Sequence, residues 1–222
     1  MKKIICTLLA LVMLLSCLAV MTSCKKDKGD DSETPLIYDI IKNSDPTKIV
    51  TDVTYTDSLG EDLGGFYEME IDGEDSIFTF TYRRYRTPEE GAAEGNTDPV
   101  KELSGKVYYK DHLYYASEGS SWNSSAATGS DLKLDIQESY LTDATVSEDG
   151  TTLTATLTSA NAISALGTDL SVAEGGVINI TVTTNGTNLT GILLTCTTGS
   201  GAEVVIRTSY SYNPITLVFP EA

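Results

Sequence analysis

The residues able to do chemistry are few, and their settings limit what each can do. His112 is the one histidine in 222 residues. It stands in Lys110-Asp111-His112-Leu113, at a tight turn between two aromatic runs. A general base must be held within hydrogen-bond reach of the proton it removes, and a turn side chain in water is poorly held. His112 is therefore expected to be a solvent-facing turn residue. Ser130-Asp131-Leu132-Lys133 has the Ser-x-x-Lys spacing of penicillin-recognising enzymes. That chemistry needs a helix to bring serine and lysine together, whereas Leu132, Leu134 and Ile136 alternate as in a strand, and the companion motifs are absent. Zinc needs clustered His and Cys, which the chain lacks. Asp72-Gly73-Glu74-Asp75 lacks the ligand spacing of a calcium loop and is expected to be a solvated turn. Asn123-Ser124-Ser125, Asn179-Ile180-Thr181, Asn185-Gly186-Thr187 and Asn188-Leu189-Thr190 match the glycosylation acceptor pattern as compositional noise in a Thr-rich chain. No catalytic residue, metal site or cofactor is expected, and the chain is not read as an enzyme.

What remains is aromatic. Phe78, Phe80, Tyr82, Tyr85, Tyr108, Tyr109, Tyr114 and Tyr115 fall on neighbouring strand-like runs. Aromatic residues favour strands because they pack well on a pleated surface, so half of them suffice to cover a sheet face. The sharper expectation is that Phe78, Phe80, Tyr82, Tyr108 and Tyr114 line a groove for an apolar ligand.

The N-terminus decides where this chemistry would operate. Lys2 and Lys3 precede an uncharged apolar run from Ile4 to Met21, and small residues lead to Cys24 before the charged stretch Lys25-Lys26-Asp27-Lys28. This is the layout of an export signal. Met21-Thr22-Ser23-Cys24 resembles the lipobox of bacterial lipoproteins. The resemblance implies cleavage before Cys24, a diacylglycerol on its thiol, and a protein held on the extracytoplasmic face of the cell membrane. Met21 departs from the usual leucine. Leu14-Leu15-Ser16-Cys17 is a competing lipobox, but it would leave Leu18 to Met21 as an exposed apolar stub. The plain alternative is an uncleaved signal anchor, since the run is near the lower length for spanning a bilayer. Residues 1–23 are thus read as the signal, 24–35 as lipidated cysteine and flexible tether, and 36–222 as one β-rich domain.

Charge narrows the partners. The formal net charge is −17 at pH 7, and the signal removes two lysines and no acidic residue, leaving the exported part more acidic still. Such a surface cannot neutralise a phosphate backbone, so nucleic acid is excluded. Nor can it grip anionic lipid by charge, so contact with the bilayer would rest on the acyl anchor. Cys6 and Cys17 leave with the signal and Cys24 takes the lipid, so Cys196 has no intramolecular partner. It lies in a strand-like run and is expected to be a buried structural thiol.

The elements that must position the aromatic residues are almost all strands. Leu36 to Lys42 has the apolar spacing of a short helix, stopped by Asn43-Ser44-Asp45-Pro46. Alternating runs follow around Ile49 to Tyr55, Phe66 to Ile71, Ile77 to Arg86, Lys106 to Lys110, Leu113 to Ser117, Leu132 to Ile136, Thr145 to Glu148 and Thr151 to Thr158. Val177 to Thr183, Leu189 to Thr195, Glu203 to Tyr212 and Ile215 to Phe219 complete the set. Asp149-Gly150 and Asn185-Gly186 are strong hairpin signals. Thr87 to Pro99, with two prolines, two glycines and no basic residue, reads as a loop. Ala160 to Leu166 reads as a second short helix. About ten antiparallel strands with two short helical pieces predict a mainly β fold with minor α, a large curved antiparallel sheet.

A resemblance sharpens this. The run Val107-Tyr108-Tyr109-Lys110-Asp111-His112-Leu113-Tyr114-Tyr115, Trp122 after a polar gap, the Asp-Gly hairpin, and the ending Ile206-Arg207-Thr208-Ser209-Tyr210-Ser211-Tyr212-Asn213-Pro214-Ile215-Thr216-Leu217-Val218-Phe219-Pro220 resemble bacterial lipoproteins of the LolA-like superfamily. The resemblance implies an open half-barrel wrapped over short helices, with a cavity for acyl chains and no shared catalytic residue. Ile37, Ile40 and Ile41 would then be buried on the sheet's inner face, met by Val204, Ile206, Ile215 and Leu217, or by the opposite-facing residues if the register differs by one. Two functions follow as expectations: a lipoprotein holding an apolar small molecule or lipid between sheet and helices, or a structural, protein-binding lipoprotein with a solidly packed sheet.

Overall fold

The computed structural model describes residues 36–95, 98–111, 113–116, 123–124, 136–158, 160–161, 172 and 176–220. The signal, Cys24, Cys17, the tether, His112, Trp122 and the Ser130-to-Lys133 segment lie outside these, as does most of the expected helix from Ala160 to Leu166.

Strict alternation of apolar and polar residues makes strands, because successive side chains point to opposite faces. In β1 (Lys48–Thr56), Ile49, Thr51, Val53 and Tyr55 are buried, and their neighbours are more open. The strands that follow are β2 (Gly65–Asp72), β3 (Asp75–Tyr85), β4 (Val100–Lys110), β5 (Leu113–Ala116), β6 (Asn123–Ser124), β7 (Thr142–Val146), β8 (Thr152–Leu157), β9 (Ile178–Thr184), β10 (Leu189–Thr197) and β11 (Glu203–Ser211), and the same rhythm is clearest in β8, β9 and β11. All eleven form one antiparallel sheet in the order β6-β5-β4-β3-β2-β1-β11-β10-β9-β8-β7. It is curved, open and not closed into a barrel. The turns need a positive φ, and glycine supplies it without a Cβ clash. Gly150 (φ 70) and Gly186 (φ 88) serve the two hairpins that the sequence marks most strongly.

Two meanders meet at the centre, where the first strand pairs with the last. Val53 faces Ile206 and Thr51 faces Thr208, whose hydroxyls lie 3.1 Å apart in the buried face. Directly opposed residues share a face, so one continuous inner face can be followed from Leu153 through Val182, Ile192 and Thr208 to Thr51 and Tyr67. The C-terminal half of that face is closed. Leu153, Leu157, Ile178, Ile180, Val182, Leu194 and Ile206 are each below 2% exposed, and a fully buried side chain of this kind contributes about 1.5–3 kcal/mol.

Helix α1 (Ile37–Lys42) covers part of this face. Ile37, Ile40 and Ile41 are buried, and Ile37 and Ile41 join the continuous core with Val204 and Ile206. Its C-terminal end is tied to β10, since the Ser44 hydroxyl donates to the Ile40 carbonyl (2.8 Å) and accepts from the Leu189 N–H (3.3 Å). The chain from β6 to β7 passes from one sheet edge to the other; in its described part Ile136 is buried and Tyr140 and Leu141 pack against the core. Edge strand β7 carries Asp143 at φ 53 beside a register shift, a bulge of the kind that discourages edge-to-edge pairing.

Two expectations are corrected. The segment Thr87 to Pro99 is not all loop: Pro88–Glu94 is a helix, α2, started by a capping box between Thr87 and Glu90 and ended by Gly95 at φ 61. Ile215 to Phe219 forms no strand among the described residues. Ile215, Leu217 and Phe219 are half-buried and Thr216 and Val218 exposed, so the alternation records one-sided packing without a ladder. Phe219 reaches Tyr108 (ring centroids 6.4 Å) and lies under the Lys110 ammonium (5.3 Å), a cation–π contact.

Candidate functional site

The aromatic residues of β3 sit two apart, so they share a face. Phe78 is opposite Met69 and Val107, Phe80 is opposite Tyr67 and Gly105, and Tyr82 is opposite Gly65 and Leu103. Met69 and Tyr67 are core residues, which places this row on the inner face. The rings follow one another, Phe78 to Phe80 at 5.7 Å and Phe80 to Tyr82 at 6.0 Å, and Tyr67 stacks on Phe78 at 6.3 Å. Two glycines make room for them. A β-carbon on Gly105 would stand 2.7 Å from Phe80 Cζ, and one on Gly65 would stand 2.7 Å from the Tyr67 hydroxyl.

Burial falls along the row. Tyr67 and Phe78 are closed off, whereas Phe80, Tyr82, Leu103 and Val107 keep part of their surface open. Burial pushes the Tyr67 phenol well above its usual range, and the neighbouring Tyr82 phenol adds to the shift. The row has no charged member between Phe78 and Tyr82.

It ends in charge. Arg84 continues the same face and is directly opposite Lys101. Helix α2 folds back onto both. Arg84 donates to both Glu90 carboxylate oxygens (2.8 and 2.5 Å), and Lys101 pairs with Glu94 (2.7 Å) and more distantly with Glu90 (3.5 Å). Arg86 also pairs with Glu94. Hydrogen bonds from Arg84, then from the Thr87 backbone, hold the Glu90 carboxyl far below the usual carboxylate range. The Glu90 carboxylate in turn raises Arg84, with a smaller part from the Tyr82 phenol, which puts this guanidinium beside the last ring of the row. No side chain of α2 is buried, so these ion pairs are its hold on the sheet.

The other aromatic candidates separate. Tyr108 is opposite Ile77, not Phe78, and so faces the outer side of the sheet, where Phe219 packs on it. It does not join the row. Tyr114 pairs with Tyr109 along the backbone, and its side chain lies outside the described residues. Asp75 accepts from the Asp111 backbone N–H (3.1 Å), so the acidic turn at Asp72 to Asp75 braces the next hairpin. Among the described residues no cluster of three or more His, Cys, Asp or Glu could hold a metal. Arg84, Lys101 and α2 are what residue-by-residue reading missed, although Thr87-Pro88-Glu89-Glu90 carries the helix-start signal of proline near the first position and glutamate three after the cap.

Cys196 is buried on the inner face of β10, and burial pushes its thiol up to about 11. Near it a shallow cavity of about 390 Å3 opens at the ends of β9, β10 and β11, lined by Asn179, Thr195, Thr197, Glu203 and Val205 among others. These five alternate on the outer face and Cys196 and Val204 also line the hollow, but all of these residues stand on β9 to β11, away from β3 and β4, so it is separate from the aromatic row.

No protein-family model matches the chain, and no curated protein matches it. Among solved structures it is similar to a LolA superfamily protein from Nitrosomonas europaea, 9% identical over 81% of this chain and 91% of that one, with a TM-score of 0.33. It is also similar to an S-type phycobiliprotein lyase from Guillardia theta, 8% identical over 82% of this chain and 100% of that one, with a TM-score of 0.27. Both overlaps are loose, and the site rests on this chain's own residues.

Proposed function

We propose that the chain is a lipid-anchored protein of the extracytoplasmic membrane face whose β domain holds an apolar ligand along Phe80 and Tyr82, the open end of the row that starts at the buried Phe78. One observation carries the reading: the inner face is packed shut over β8 to β11, yet over β3 and β4 it leaves an uncharged row of rings partly open. Apolar surface left open beside a closed core is where a ligand recovers burial free energy, about 25 cal/mol per Å2 covered. The alternative is a packed β domain that presents a surface to a protein partner, and the closed C-terminal half favours it.

The neutral probe phenylnaphthylamine separates the two. Its fluorescence should rise on binding, and Phe80→Ala or Tyr82→Ala should weaken binding by roughly tenfold, the loss of about 1.4 kcal/mol of ring contact. Tyr108→Ala should leave it unchanged, since that ring faces the other side. Absence of binding, or equal sensitivity to Tyr108→Ala, overturns the groove. The anchor is tested apart: Cys24→Ser should abolish partition into the detergent phase, and retained lipidation would move the site to Cys17.

A further inference from the structure

We propose that the ligand is an amphiphile with a carboxylate head, and that α2 is an internal stand-in for that head, displaced when the ligand binds. The inference rests on the aromatic row being the ligand groove and names what chemistry the groove selects.

The row stops at two cations on the same face. Arg84 follows Tyr82 along β3, and Lys101 is its direct neighbour on β4. An apolar chain lying over Phe80 and Tyr82 would place its head at this pair. The position is already filled by a carboxylate, that of Glu90, taken by both terminal guanidinium nitrogens of Arg84. Such a bidentate pair is the geometry in which arginine recognises carboxylates. Glu94 bridges Lys101 and Arg86, one carboxylate oxygen to each.

The helix carrying these glutamates has no apolar hold. It is seven residues long, buries no side chain, and contains Gly91 in its interior, where glycine costs about 1 kcal/mol relative to alanine. The side chains of Arg84, Lys101 and Glu90 are 19%, 25% and 26% exposed, so solvent screens the pairs and limits their strength. An incoming carboxylate exchanges one ion pair for another at little cost in charge and adds the burial of its chain. A neutral amphiphile of the same length would leave the glutamates in place and gain the chain contact alone.

Calorimetric titration of the full chain carrying Cys24→Ser, with laurate below its micelle concentration and lauryl alcohol below its solubility limit, tests this. Laurate should bind roughly tenfold more tightly than the alcohol, as one charge-assisted hydrogen bond implies. Arg84→Gln should remove that preference. Glu90→Gln is the stronger arm, because glutamine preserves the capping box while removing the competing charge. It should tighten laurate several-fold and widen its preference over the alcohol, a gain that misfolding cannot produce. Equal binding of both ligands with no response to Glu90→Gln overturns the head site while the groove stands. If neither ligand binds, the groove falls as well.

Discussion

Gly105 of β4 stands directly opposite Phe80 of β3, and the phenyl ring occupies the space where a β-carbon would be. The pair fixes how far the row can close over β4. An added methyl must push the ring outward or bend the strand. Gly105→Ala should therefore destabilise the chain by about 1–3 kcal/mol, the usual cost of overpacking. In Phe80→Ala the obstructing ring is gone, so adding Gly105→Ala should cost little or even gain. Urea denaturation of the two single variants and the double variant measures the coupling; simple additivity would mean that the ring and the glycine do not interact.

Tyr210 presents the opposite situation, a group with too few neighbours of its own kind. Its hydroxyl is buried on the inner face beside Ile49 and has no hydrogen-bond partner among the described residues. Burial drives the phenol far above its usual range, with a contribution from Tyr212. A buried, unpaired polar group costs about 1–3 kcal/mol. Tyr210→Phe should keep the ring and leave stability unchanged or raised by up to that amount. A loss beyond about 1 kcal/mol, the scale of one net hydrogen bond, would reveal a partner for this hydroxyl in the folded chain.

Cys196 gives a pH-dependent test. Its folded pKa of about 11 lies above the roughly 8.5 of a free thiol, because burial disfavours the thiolate. The neutral thiol therefore contributes no penalty below about pH 8.5, and stability should fall as pH rises from there toward 11. Cys196→Ala should flatten that alkaline decline. In the native chain near neutral pH the thiol should react with aromatic disulfides far more slowly than after unfolding. Rapid labelling of the folded protein would show that the inner face of β10 opens to solvent.

The sheet was largely legible because its signals are local. Asp149-Gly150 and Asn185-Gly186 dictate hairpins by their backbone conformation, and alternation as in Ile178, Ile180 and Val182 marks a one-sided strand. The site was legible only in part. Phe78, Phe80 and Tyr82 share a face by spacing alone, but whether Tyr108 or Tyr109 joins them depends on cross-strand register, which one residue of slip reverses. Arg84 and Lys101 are 17 positions apart in sequence and become neighbours only through that same register. Helix α2 was hidden by its own composition, since Pro88, Gly91 and Gly95 read as breakers although Pro88 and Gly95 sit at the two ends where helices accept them. The run Ile215 to Phe219 shows the converse: alternation reports which side chains are covered, not whether the segment is a strand.

The seam between β1 and β11 sets the order in which the chain can finish folding. Thr51 and Thr208, whose hydroxyls meet there, are separated by 157 positions. Each meander can assemble from neighbours, but β1 has no second partner until the last strand has been synthesised. Contacts this remote in sequence are slow to form because a long loop must close first. During that interval Ile49 and Val53 sit on an unpaired strand edge, the kind of surface that captures other chains. A stall or truncation before Glu203 would thus produce a self-associating intermediate rather than a smaller folded domain.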